Sequence, residues 1–178
     1  MILNNKAPNF NLPDIIDDLD ITLDGYAPNA PVVLAFICNH CPFVNHIIDH
    51  LVRLANEYQK QGVRFIAISS NDASNYPDDA PEKMRTFAEL YHFSFPYCYD
   101  ETQEVAKSYG AICTPEFYVL DREHHVVYHG RFDDSRPNSS TPVTGIDLRT
   151  ALDCVLNNTP VPEKQYPSLG CVIKSKNA

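Results

Sequence analysis

The stretch Val32-Val33-Leu34-Ala35-Phe36-Ile37-Cys38-Asn39-His40-Cys41-Pro42 decides how the rest of the chain is read. Its first six residues form an unbroken apolar run, β-branched in part, which is the pattern of a strand buried on both faces. After Pro42 the period changes. Val44, Ile47, Ile48, Leu51, Leu54, Ala55 and Tyr58 recur at helical spacing, and Gly62 suits the stop. The two cysteines therefore sit where a buried strand turns into a long amphipathic helix. Unpaired backbone N–H groups and the helix dipole favour negative charge at such an end. A thiolate is the nucleophile of disulfide exchange, and two intervening residues let a second sulfur attack the mixed disulfide made by the first. Cys38, the outer residue, is expected to attack and Cys41 to resolve. A protonated His40 between them would further favour the Cys38 thiolate. Pro42 fits the first helical turn, where its missing N–H costs little.

Downstream, Val63–Ser69 reads as a second buried strand and Pro81 opens a helix with Met84, Phe87, Ala88 and Tyr91 inward. Tyr97–Tyr99 fits a short strand. Asp100 and Gln103 stand at capping-box spacing before a helix that ends at Gly110. Glu116–Leu120 and Val126–His129 form a hairpin pattern, and Leu148, Ala151, Leu152 and Val155 mark a last helix. The order βαβ, helix, ββ, α predicts a three-layer α/β/α sandwich around a central mixed β-sheet. One domain is expected over 1–178, with an irregular N-terminal extension to about residue 30, carrying a short hairpin, and a non-periodic tail over about 159–178.

Composition narrows the function. With 14 basic against 23 acidic residues and a net charge of −9, the chain is a poor partner for nucleic acid or an anionic membrane. No run approaches the ~20 apolar residues of a membrane span, and residues 1–8 lack the basic head and apolar middle of a signal peptide. The expectation is a cytoplasmic protein, where a close cysteine pair is catalytic or metal-binding rather than structural. Cys38, Cys41, His46 and His50 do spell C-x2-C-x4-H-x3-H, a zinc-like spacing. His46 and His50, however, fall beside the helix's apolar face, so neither a metal nor another cofactor is expected. Thr114-Pro115 before an apolar strand is a candidate cis bond. Cys98 and Cys154 read as core, and Cys113 as a small buried residue that could approach Cys38. Cys171 sits in a polar tail where no core demands it, which marks it as a possible third redox thiol. His124, His125 and His129, on the hairpin, are expected to be solvated.

Taken together, the buried strand, Cys-x-x-Cys-Pro and the distant Thr-Pro resemble the thioredoxin fold. Ala7-Pro8-Asn9-Phe10-Asn11-Leu12-Pro13-Asp14 is similar to the opening of its redoxin (AhpC/TSA-type) branch. Cys38-Asn39-His40-Cys41-Pro42-Phe43-Val44, Ser70-Asn71-Asp72, Tyr76-Pro77-Asp78-Asp79, Gly130–Pro137 and Gly170-Cys171-Val172-Ile173-Lys174 resemble a peroxiredoxin-like subfamily. The resemblance implies a cis Pro115 beside the cysteine pair, with the Thr114 backbone offered to a substrate. Glu116, beside that proline, and Arg131, as a stabiliser of the Cys38 thiolate or a bound anion, are further substrate-side candidates, and thiols and disulfides of proteins or small molecules are the expected partners. Two departures matter. The buried Asp that thioredoxins carry six residues before the first Cys is Val32 here, leaving Glu116 as the candidate base. The peroxidase pattern Pro-x-x-x-Thr/Ser-x-x-Cys, placed on Cys41, meets Cys38 and Leu34 instead. Dithiol–disulfide exchange through Cys38 and Cys41 is thus the expected activity. A divergent thiol peroxidase and a metal-binding chaperone of the same fold are the alternatives.

Overall fold

The computed structural model describes residues 2–176. Five strands make the central sheet: β3 (Val32–Phe36), β4 (Arg64–Ser69), β5 (Tyr97–Tyr99), β7 (Glu116–Leu120) and β8 (Val126–Gly130). The order is β5-β4-β3-β7-β8, with β3, β4 and β5 parallel and β7 and β8 antiparallel to their inner neighbours. All five residues of β3 are buried, as its unbroken apolar run requires of a central strand.

Alternation along β3 divides the core in two. Val33 and Ala35 face a layer made by α2 (Pro42–Gln59), α3 (Pro81–Leu90) and α5 (Ile146–Leu156). Val32, Leu34 and Phe36 face α4 (Glu104–Tyr109) and the N-terminal segment. That segment contains the hairpin β1 (Asn11–Pro13) and β2 (Asp20–Thr22), then the single turn α1 (Leu23–Tyr26). Thr22 caps α1 by accepting from the Gly25 N–H at 3.0 Å. The expected mixed-sheet α/β/α sandwich is therefore what the chain forms. Among the described residues, no helix is long and apolar enough to cross a membrane.

Three local expectations fail for identifiable reasons. The helix after Asp100 begins only at Glu104, because Gln103 takes a left-handed conformation. Asp100 still accepts from the Val105 and Ala106 N–H groups, but Gln103 turns its amide to the chain's far end instead of closing a capping box. His124 is buried, at 4% exposure, with its Nε2 on the Ala27 carbonyl at 2.8 Å; His129 is half-buried on Glu116. Cys154 is half-buried, off the inward face of α5 defined by Leu148, Ala151, Leu152 and Val155. The described part of the tail, 159–176, is also more ordered than its composition suggests. Within it, β9 (Cys171–Val172) pairs antiparallel with β6 (Cys113–Thr114).

Candidate active site

Cys38 and Cys41 lie in the turn between β3 and α2, and Cys41 is the N-cap of α2 with Pro42 behind it. No side chain caps this end, so its N–H groups are left for the sulfur itself. The bond before Pro115 is cis, and Thr114 lies against both sulfurs. The Thr114 hydroxyl is 3.4 Å from Cys38 Sγ and the Thr114 carbonyl 3.3 Å from Cys41 Sγ. Both cysteines are fully buried. The outer residue of the pair, Cys38, is thus as enclosed as Cys41 in this arrangement.

The two thiols share a proton. The Cys38 S–H donates to Cys41, and this pulls Cys41 down to about 4 against the opposing effect of burial; Cys171, Thr114 and the Val44 N–H add to the fall. The same hydrogen bond, with burial and the charge of Asp79, pushes Cys38 well above the ordinary thiol range. Thr114 is arranged for the reverse distribution. Its hydroxyl can donate to a Cys38 thiolate, and its carbonyl can only accept an S–H from Cys41. Each placement of the proton thus has a hydrogen-bonding partner ready.

Asp79 is the residue that sequence reasoning missed. It comes from the 3-10 turn Pro77–Asp79 and is completely buried. Its Oδ1 accepts from the Asn39 N–H at 2.8 Å and its Oδ2 from the Asn71 amide at 2.9 Å. His40 Nδ1 lies 2.6 Å from Oδ2, an ion-pair contact whose angles are too poor for a directed hydrogen bond. The thioredoxin Asp position is apolar at Val32, yet a buried carboxylate reaches the pair from elsewhere in the chain. Tyr76-Pro77-Asp78-Asp79 resembles the subfamily at this point, but its residues carry no local mark of burial.

The remaining candidates are placed as follows. Glu116 is buried at the start of β7, but its carboxylate accepts from the Ile112 and Cys113 N–H groups and meets His129 at 2.5 Å. Burial works to raise its pKa; His129 and the two N–H groups outweigh it and hold the carboxyl low. It braces the Cys113–Pro115 turn, and its hydrogen bonds are not made with Cys38 or Cys41. Arg131 pairs with Asp147 at 2.7 Å and stacks over Tyr166, away from a direct thiol contact. With Pro115, Phe43, His46 and Leu169 it lines a shallow hollow. A larger hollow lined by Leu3, Arg122, Val155 and Gln165 contains none of these residues. Cys113 points to Glu116 and to the Ser168 carbonyl. Cys171 reaches the site, with its Sγ 2.8 Å from Cys41 Sγ.

The zinc-like set is not brought together: His46 bonds Ser135 at 3.0 Å. Among the described residues near the thiols, Cys38, His40 and Asp79 form the group with metal-ligand proximity, their ligand atoms within 4.8 Å of one another.

The AhpC/TSA family profile matches residues 3–129, most of the chain. The protein is a member of the AhpC/TSA family. Within that redoxin family, it is 25% identical over 127 residues to the thiol-disulfide oxidoreductase ResA of Bacillus thuringiensis subsp. konkukian (strain 97-27), covering 71% of this chain and 68% of the relative. An uncharacterized conserved protein from Geobacillus kaustophilus superposes with a TM-score of 0.97 at 54% identity, covering 99% of this redoxin and 94% of that chain. A putative thiol:disulfide interchange protein, DsbE, from Chlorobium tepidum shares the thioredoxin-like fold, with a TM-score of 0.69, 18% identity, and coverage of 88% and 99%.

Proposed function

We propose that this redoxin is a thiol-disulfide oxidoreductase that works by dithiol–disulfide exchange through Cys38 and Cys41. The observation that carries the reading is the meeting of both sulfurs on Thr114 at a helix N-terminus, one facing a donor and the other an acceptor. In the resting pair the charge lies on Cys41. Transfer of the shared proton from Cys38 to Cys41 moves the charge to Cys38, where the Thr114 hydroxyl donates to it. The Cys38 thiolate attacks a substrate sulfur, the substrate's second sulfur leaves as a thiolate, and a Cys38–substrate disulfide forms. Cys41 then loses its proton and attacks Cys38 Sγ. The Cys38–Cys41 bond forms, the bond to the substrate breaks, and the reduced substrate leaves. Asp79 and His40 act as positioning residues beside Cys38.

The ResA relatives' names support thiols and disulfides as the substrate class. The cysteine usage supports work in a reducing compartment. Peroxide reduction is the weaker reading, because Cys38 and Leu34 stand where the peroxidase pattern needs hydroxyl and proline. The test is reduction of glutathione disulfide by the fully reduced protein and its variants. Cys38→Ser should lose exchange, and Cys41→Ser should accumulate a glutathione adduct on Cys38. An adduct accumulating on Cys41 in Cys38→Ser contradicts the order of attack, and unchanged turnover in both variants contradicts the reading itself.

A further inference from the structure

The tail is fastened over the site by backbone and side-chain bonds from three directions. Cys171–Val172 lies antiparallel on Cys113–Thr114, with Cys171 opposite Thr114. The Ile173 N–H donates to the Ile112 carbonyl at 2.9 Å. The Lys174 N–H donates to Asn71 Oδ1 at 2.8 Å, and the Lys174 carbonyl accepts from the Asp72 N–H and the Gln103 amide, each at 2.8 Å. Gln103 also accepts from the Lys176 N–H at 3.0 Å. Gly170 permits the approach: a Cβ there would fall 1.9 Å from the Thr114 carbonyl oxygen. This strap contacts the same Thr114 that faces both thiols. It holds Cys171 Sγ 2.8 Å from Cys41 Sγ, roughly 0.8 Å beyond a covalent S–S bond.

We infer that the Gly170–Lys174 strap is an internal substrate strand, and that Cys171 takes the disulfide over from Cys38. The step rests on the reading of Cys38 and Cys41 as an exchanging pair, whose bridge an outside disulfide has made. Cys171 gives up its proton and attacks Cys41 Sγ. The Cys41–Cys171 bond forms as the Cys38–Cys41 bond breaks, and Cys38 leaves as a thiolate that takes up the proton. Cys171 is oxidised, Cys38 is reduced, and the number of disulfides is unchanged. The product ties the strap to the helix end and leaves Cys38 free beside Thr114 and Asp79. In the reduced protein, burial and the neighbouring Cys41 push Cys171 up to about 11. Bridging Cys41 to Cys38 removes the Cys41 charge, so the attacking thiolate becomes easier to form once the first bridge exists.

The experiment oxidises fully reduced protein with glutathione disulfide, quenches it over time with N-ethylmaleimide and maps the bridges by mass spectrometry. The expected course is a Cys38–Cys41 bridge that gives way to Cys41–Cys171 while Cys38 becomes labelled. Cys171→Ser should stop at Cys38–Cys41. So should Gly170→Val, which keeps all six cysteines but drives a side chain into the Thr114 carbonyl; circular dichroism checks that both variants fold. A wild-type protein that keeps Cys38–Cys41 while Cys171 stays labelled overturns the relay and leaves the exchange reading standing. A Cys171→Ser protein that forms no Cys38–Cys41 bridge overturns both. A Cys41–Cys171 bridge that forms equally fast in Cys38→Ser overturns the transfer from Cys38.

Discussion

A pair of sulfurs that shares one proton makes the stability of the reduced protein depend on pH in a defined way. Cys41 is held at about 4, below its ordinary value of 9.0, and Cys38 is held above that same value. Between about pH 4 and about pH 9 the unfolded chain holds both protons and the folded pair holds one, so stability rises with pH. Above about pH 9 the unfolded chain loses both protons while Cys38 keeps its own, so stability falls again. The melting temperature of reduced wild type minus that of the Cys38→Ser/Cys41→Ser double variant should peak near about pH 9; a flat difference contradicts the shared proton. A second prediction concerns Asp79, whose charge is one cause of the rise at Cys38. Asp79→Asn should shift Cys38 alkylation to lower pH. It should also cost about 1–3 kcal/mol, because the Asn71 amide that donates to Oδ2 would then face an amide N–H₂. An unchanged alkylation profile contradicts the electrostatic role. The pair itself was legible in the sequence, since Cys-x-x-Cys-Pro after an apolar run names its own strand–helix junction. Asp79 was not, because nothing local to Asp78-Asp79 distinguishes a buried carboxylate from a solvated turn. What decides between them is the Asn39 N–H and the Asn71 amide arriving from other parts of the fold.

Elements with a strong period were read correctly, and those defined by long-range partners were not. β3 and α2 carry their identity in consecutive residues: five buried strand positions, then an apolar face from Val44 to Tyr58. β9 has two residues, one of them the exposed Val172, and exists only because Cys113–Thr114 offers it a ladder. The same holds at α4, where the expected capping box gave way because Gln103 finds better partners at Ser70 and Lys174. The strap should accordingly loosen in Gln103→Ala, which removes amide bonds to the Ser70 and Lys174 carbonyls and the acceptor for the Lys176 N–H. Hydrogen exchange at the Ile173 and Lys174 amides should accelerate, and Cys171 should alkylate faster. Exchange rates equal to wild type mean that β9 is held by the ladder alone.

For the whole molecule, the sheet separates two apolar clusters, and the site sits where the helix layer of one meets the cis-proline turn. Phe117 is fully buried and tilts against Phe132 with ring centroids 5.5 Å apart. It lies two residues past Pro115, so the packing that stabilises the fold also seats the turn that faces the thiols. Phe117→Ala should destabilise the protein by about 3–5 kcal/mol in denaturant melts; a loss below ~1 kcal/mol contradicts that packing. Membership of the AhpC/TSA family is compatible with exchange and with peroxide chemistry, so the decisive measurement is a race between the two oxidants. Reduced protein is split between hydrogen peroxide and glutathione disulfide, quenched over seconds with an alkylating agent and mapped by mass spectrometry. The account predicts that the disulfide oxidises Cys38 and Cys41 to an internal bridge well before peroxide consumes either thiol. Faster oxidation by peroxide, through a sulfenic acid on either cysteine, contradicts it.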